Sequence, residues 1–154
     1  MISNLLVANS VLLLLFVSMY LGTGWSLVLF SFPVARELTV DNYYLVFVPQ
    51  VERATRFFTI MTQLMILSAL IMTLDEWRTG YAWVPAVVLV LVIASTVLTV
   101  KWIFPYNKRM REGIADQGAL EETLRRWMFL NRIRTSIWTL QWLAMATYFA
   151  LSAG

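Results

Sequence analysis

No charged side chain occurs between Met1 and Ala35. A helix needs roughly 20 apolar residues to cross the hydrocarbon of a bilayer, and in hydrocarbon the backbone must satisfy its own polar groups. This run therefore commits the chain to a membrane-spanning helix. No Lys or Arg precedes it and the uncharged run is long, so it reads as a retained helix and not as a cleaved signal peptide. Three more apolar blocks follow. The third of the four is rich in Val and Ile, which would favour a strand in water, but its length decides for a helix in lipid. Only 14% of the 154 residues are charged and 60% are hydrophobic, where a soluble domain carries about a quarter charged. The expected fold is all-α: a single four-transmembrane-helix bundle over residues 1–154, with spans near 7–30, 57–74, 83–104 and 135–151.

Orientation follows from the basic residues. Of the 12 Lys and Arg, all except Arg78 fall in the segments 31–56 and 101–134, which lie on one side because two spans separate them. The positive-inside rule places both long connections in the cytoplasm and both termini outside. The small size and this charge bias fit a bacterial inner membrane.

The net charge of +3 sits beside membrane spans, where orientation and anionic lipid explain it without nucleic acid. Cysteine and histidine are both absent. That removes disulfides, thiolate metal sites, the commonest metal ligand and the commonest general base, so neither a metal nor a cofactor is expected.

In the first span Ser18, Gly22 and Ser26 recur every fourth residue and flatten one helix face, a pattern that lets another helix approach. Ala146, Ala150 and Gly154 do the same near the end of the last span. Both faces suit internal packing, a homo-oligomer or a partner membrane protein. Residues 31–56 read as a connection that lies in the interface or caps the bundle, with Tyr43, Tyr44 and Phe47 suited to headgroup level and Glu52 and Arg56 as an i, i+4 pair. Gln63 is an amide in hydrocarbon, which needs partners and should face the interior. Trp77, Tyr81 and Trp83 anchor the turn 75–83. Pro105 bends or ends the third helix, Gly113 to Gly118 break the chain, and a new helix from about Leu120 runs into the last span.

On that last helix Trp127, Asn131, Arg134, Trp138 and Gln141 are spaced by four, three, four and three, so they share one face. An Arg facing lipid costs about 2.5–3.5 kcal/mol at mid-helix and less near the interface. Arg134 therefore snorkels outward or turns inward and pairs. Asn107 lies at similar depth, as do Trp25, Phe57 and Trp102. On one reading Asn107, Asn131 and Arg134 cap helix ends while Trp102, Trp127 and Trp138 form the interfacial belt. On the other they build an aromatic pocket open to the inner leaflet, in which a cation and amides orient an oxygen-bearing ligand, with Trp127, Trp138, Trp102 and Gln63 as binding residues.

Pro105, Asn107 and Met110, in the pattern P-x-N-x-x-(L/M), are followed about twenty residues later by Trp127, Asn131 and Arg134, in W-x-x-x-N-x-x-R. With a glycine-containing first span that ends near a proline, this resembles the anthrone-oxygenase-like family of small four-helix membrane proteins. The resemblance implies a cofactor-free oxygenase that converts an anthrone to an anthraquinone. Arg134 would then stabilise a phenolate or enolate, Asn107 and Asn131 would hold the carbonyl, and the tryptophans would stack on the rings. Glu52 is the candidate base.

Two functions stay open. One is an accessory subunit that packs against a larger membrane complex, favoured by the smooth apolar third span and the lack of an evident base. The other is an oxygenase or binder of a lipophilic aromatic ligand, anthrone-like or quinone-like. A transporter is disfavoured because nothing charged sits at mid-membrane.

Overall fold

The computed structural model describes residues 2–152, with side chains from residue 4 onward, and contains no strand among them. Gly154 lies outside the described residues. Helix α1 (Ile2–Ser26) passes through a π-helical turn, Leu27–Ser31, into α2 (Phe32–Ala35). Helix α3 spans Tyr43–Asp75 and ends in a 3-10 turn, Glu76–Arg78. Helix α4 (Trp83–Leu98) continues through a second π-helical turn, Thr99–Ile103, into α5 (Phe104–Glu112), and α6 runs from Gln117 to Ser152.

Three rods, Asn4–Ala35, Tyr43–Arg78 and Trp83–Glu112, are long and apolar enough to cross a membrane. They mark the chain as a membrane protein. Their outer faces carry exposed Leu, Val and Ile, such as Leu45, Ile60 and Val90, as expected where lipid is the solvent. Helix α6, with 36 residues, is about 54 Å long at 1.5 Å per residue.

The helices pack in a ring, with α1 against α3 and α6, and α4 against the same two. The interior divides into two apolar clusters. One gathers Leu13, Val17, Tyr20, Met65, Val88 and Trp138. The other gathers Phe32, Tyr43, Phe47, Ile103, Met110 and Trp127 at the end where α2, α3, α5 and α6 meet. Polar side chains on α6, among them Asn131 and Arg134, fall between Trp127 and Trp138 and so between the two clusters.

Several local expectations change. The first helix runs past Pro33 instead of ending before it, and at Pro105, where the sequence predicts a bend or an end, the helix does not end. Each proline follows a π-helical turn, in which the N–H of Phe32 bonds Leu27 O and that of Phe104 bonds Thr99 O. The widened turn takes up the misfit just ahead of the ring that cannot donate. Residues 43–56 are helix rather than connection, and only 36–42 link α2 to α3. Tyr43 and Phe47 are buried among the helices. The Tyr43 hydroxyl donates to Met110 O at 3.2 Å and accepts from the Ile114 N–H at 2.6 Å, which ties α3 to the end of α5. Gly113, at φ 100°, ends α5. Asp116 then caps α6, its carboxylate accepting from the Ala119 N–H at 2.7 Å, as preferred at a helix start.

The close approach of α1 to α6 occurs at Gly24 and not at Gly22. A Cβ on Gly24 would stand 2.9 Å from both Thr135 Oγ1 and Trp138 Cε3, whereas one on Gly22 would meet nothing within 4 Å. Ser18 accepts from Trp142 Nε1 at 3.1 Å, so it serves internal packing against α6. Nearer the start of α1, Asn9 Nδ2 donates to Ser68 O at 3.0 Å and the Ser68 hydroxyl donates to Asn9 Oδ1 at 2.7 Å. This α1–α3 clasp was not among the polar pairs expected from the sequence.

Candidate functional site

Both π-helical turns open onto the same space. Leu27 and Ser31 from the first, and Thr99, Val100 and Ile103 from the second, line a cavity of about 380 Å³ between the helices. A π-helical turn displaces the residues after it from the regular helical register, and here the displaced residues border the hollow. The remaining wall is aromatic, from Tyr20, Phe47, Phe58, Phe104, Trp127 and Trp138, with threonine and serine hydroxyls interleaved. Thr23 and Ser26 on α1 and Thr59 and Gln63 on α3 line it too and are exposed on the outside of the ring, so the cavity opens sideways.

Most of the hydroxyls donate to their own helix. Thr55 bonds Val51 O, Thr62 bonds Phe58 O, Thr96 bonds Val92 O and Thr99 bonds Ser95 O, all at 2.7–2.8 Å. With the proton engaged one turn back, each hydroxyl oxygen can still accept, as that of Thr99 does from Arg134, and that of Thr62 meets the Tyr20 hydroxyl.

Arg134 is the cation of this wall, and no acidic side chain joins it there among the described residues. Its Nη2 donates to Asn131 Oδ1, its Nη1 reaches Thr99 Oγ1 at 3.4 Å, and its guanidinium carbon stands 4.5 Å from the centre of the Trp138 ring. Nε is buried and finds no acceptor among the described residues. Asn131 is wholly buried behind the arginine, held by its Nδ2 donating to Trp127 O at 2.8 Å. The Trp127 indole N–H in turn donates to Asn107 Oδ1 at 2.8 Å. An indole N–H can only donate, so it fixes the oxygen of Asn107 and leaves the NH₂ free to face another group. Trp138 is braced by Tyr20, edge to face at 4.7 Å.

A second hollow of about 680 Å³ adjoins the first and shares Phe47, Val51, Thr55, Val100, Phe104 and Asn107 with it. Its outer wall carries Glu52, Arg56, Lys108 and Arg111. Glu52 pairs with Arg111 across α3 and α5 at 3.6 Å, both half exposed, rather than with Arg56 four residues on.

The structure thus brings Asn107, Trp127, Arg134, Trp138 and Gln63 to one cavity and sets Asn131 directly behind it. Gln63 is an exposed rim residue and not an interior one. Glu52 lies in the outer hollow. Trp102 is 44% exposed, lies outside the cavity wall, and is covered by the ammonium of Lys101 at 4.9 Å. Trp25 donates to Thr139 Oγ1 at 3.2 Å, and neither it nor Phe57 reaches the wall. Tyr20, Phe58 and Thr99 went unread in the sequence, because a lone aromatic or threonine in an apolar span has the same pattern as packing, and Phe47, expected at the interface, lines the cavity instead.

These features define a class: a helical membrane protein with an aromatic-walled, arginine-bearing cavity between its helices. No protein-family model, curated protein or solved structure matches the chain.

Proposed function

We propose that the protein is a four-span membrane protein that binds a flat, lipophilic, oxygen-bearing ligand in the cavity beside Arg134. In this reading α6 supplies the fourth span over about 135–151, both termini are outside and the outer hollow faces the cytoplasm. The observation that carries it is the meeting of Arg134, Asn107, Trp127 and Trp138 on one wall. A guanidinium with an unmet buried donor stands beside aromatic faces that would cover a ring system. A mostly apolar cavity with a few convergent polar groups is the usual form of a small-molecule site, and an anthrone-like or quinone-like tricycle has the required chemistry. Glu52, the candidate base, is engaged by Arg111 in the outer hollow, so the proposal extends to binding and to polarising an oxygen and stops short of oxygenation.

The accessory-subunit reading rests on outward apolar faces, which lipid covers equally well. One experiment separates the two. The protein is purified in mild detergent, moved to nanodiscs and titrated with anthraquinone while tryptophan fluorescence is followed. Saturable quenching that Arg134→Ala weakens is the expected result. Absence of saturable quenching, together with a stoichiometric protein partner in the purified material, would transfer the function to that partner's complex. A tag at either terminus reached by reagent only from the cytosolic side would invert the topology.

A further inference from the structure

We propose that the ligand of this cavity is an anion, a lipid-soluble acid bound with its ionised oxygen against Arg134, and that it arrives through the basic outer hollow. The inference rests on the ligand-binding reading above and adds the ligand's charge and route. Its first support is the unbalanced charge of the wall. A guanidinium removed from water is costly unless it is paired and hydrogen-bonded, yet the partners of Arg134 are a neutral amide, a neutral hydroxyl and an aromatic face. Nε remains buried without an acceptor. A carboxylate or phenolate against the guanidinium would supply the missing charge in charge-assisted bonds. The Asn107 NH₂, left free because Trp127 holds the amide oxygen, is a second donor on the same wall.

The second support is independent of Arg134. The adjoining hollow meets the cavity at Asn107 and Phe104, and its outer rim carries Arg56, Lys108 and Arg111, of which Arg111 pairs with Glu52 at 3.6 Å and Lys108 with Glu112 at 3.7 Å. Three cations against two carboxylates leave a net positive charge that favours anions at that mouth. A ligand passing along this route meets cations first, then an aromatic neck, then Arg134. Neutral lipophiles gain nothing from such a path, and the sideways opening toward lipid already admits them.

The test uses three probes on one ring system: anthraquinone, anthraquinone-2-carboxylate and its methyl ester, each titrated into the protein in nanodiscs by tryptophan quenching. Partitioning into the bilayer differs among probes, so the quantity compared is the acid-to-ester affinity ratio in the wild type divided by the same ratio in Arg134→Gln, in which partitioning cancels. Hydrogen bonds to charged groups imply a ratio of roughly ten- to hundredfold. Arg134→Lys, which keeps the charge but not the fork, should retain part of it. A measurement on the wild type alone stands apart from any folding defect of the variants. Affinity for the acid should fall as pH drops through the probe's own ionisation, while affinity for the ester stays level. Equal binding of all three probes with no pH dependence would overturn the anion proposal and leave the cavity as a site for neutral ligands. No saturable quenching by any probe would overturn both.

Discussion

Adding one methyl group at Gly24 tests the packing on which the site depends. A Cβ there would lie 2.9 Å from Thr135 Oγ1 and 2.9 Å from Trp138 Cε3, whereas comfortable carbon contacts are at about 3.5–4.0 Å. Neither contact is the loose end of a flexible chain. Thr135 is buried and donates to Asn131 O at 2.9 Å, and Trp138 is wedged between Arg134 and Tyr20 at 4.5 and 4.7 Å. The helices must part or the indole must swing toward the cavity, and overpacking of this kind costs about 1–3 kcal/mol. Gly→Ala also favours a helix by up to about 1 kcal/mol, which would blur a comparison with the wild type. Gly22→Ala on the same helix carries the same propensity gain with nothing within 4 Å. The difference between the two variants therefore isolates the clash. Reversible unfolding in mixed SDS and dodecyl maltoside micelles, followed by far-UV circular dichroism, should place Gly24→Ala about 1–3 kcal/mol below Gly22→Ala. Two variants of equal stability would refute the close approach of α1 to α6 at this residue.

Asn131→Ala removes the charge-assisted partner of Arg134 and should lower stability in the same assay by about 1.5–3 kcal/mol. Asn131→Asp, by pairing with Arg134, should abolish any preference for the acid probe; a preference that survives the aspartate would argue against Arg134 as its source. The Gln141 side-chain amide is buried with neither atom hydrogen-bonded among the described residues, so Gln141→Met should stabilise the protein by about 1–3 kcal/mol, and a loss of stability would show that the amide has a partner. Outside the spans, Arg126 and then Arg125 hold the Glu122 carboxyl below the usual carboxylate range. Their contribution is complete above the unfolded value and is lost as pH falls through the folded one. The NMR titration midpoint of Glu122 should rise in Arg126→Gln, and an unmoved midpoint would mean that the exposed pair is not formed in solution.

What the sequence made legible was what periodicity and charge encode. The uncharged runs found the apolar rods because hydrocarbon leaves the backbone little choice, and the spacing of Trp127, Asn131, Arg134 and Trp138 found their shared face because a helix returns every 3.6 residues. Illegible were the features that depend on which helix stands opposite. Gly22 belongs to the regular stripe, but Gly24 meets α6. Glu52 has Arg56 at helical spacing, but Arg111 lies across from it. The prolines mislead for a different reason. In water a helix can end before a proline because solvent takes up the freed carbonyls, which makes stopping cheap. Close to hydrocarbon, ending a helix exposes up to four unbonded carbonyls, while carrying it past the ring sacrifices a single bond. Widening one turn is then the smaller cost, and the chain takes it before both Pro33 and Pro105. Both widened turns border the cavity, so a rule learned from soluble helices marks as an end the place where this fold opens a hollow between its helices.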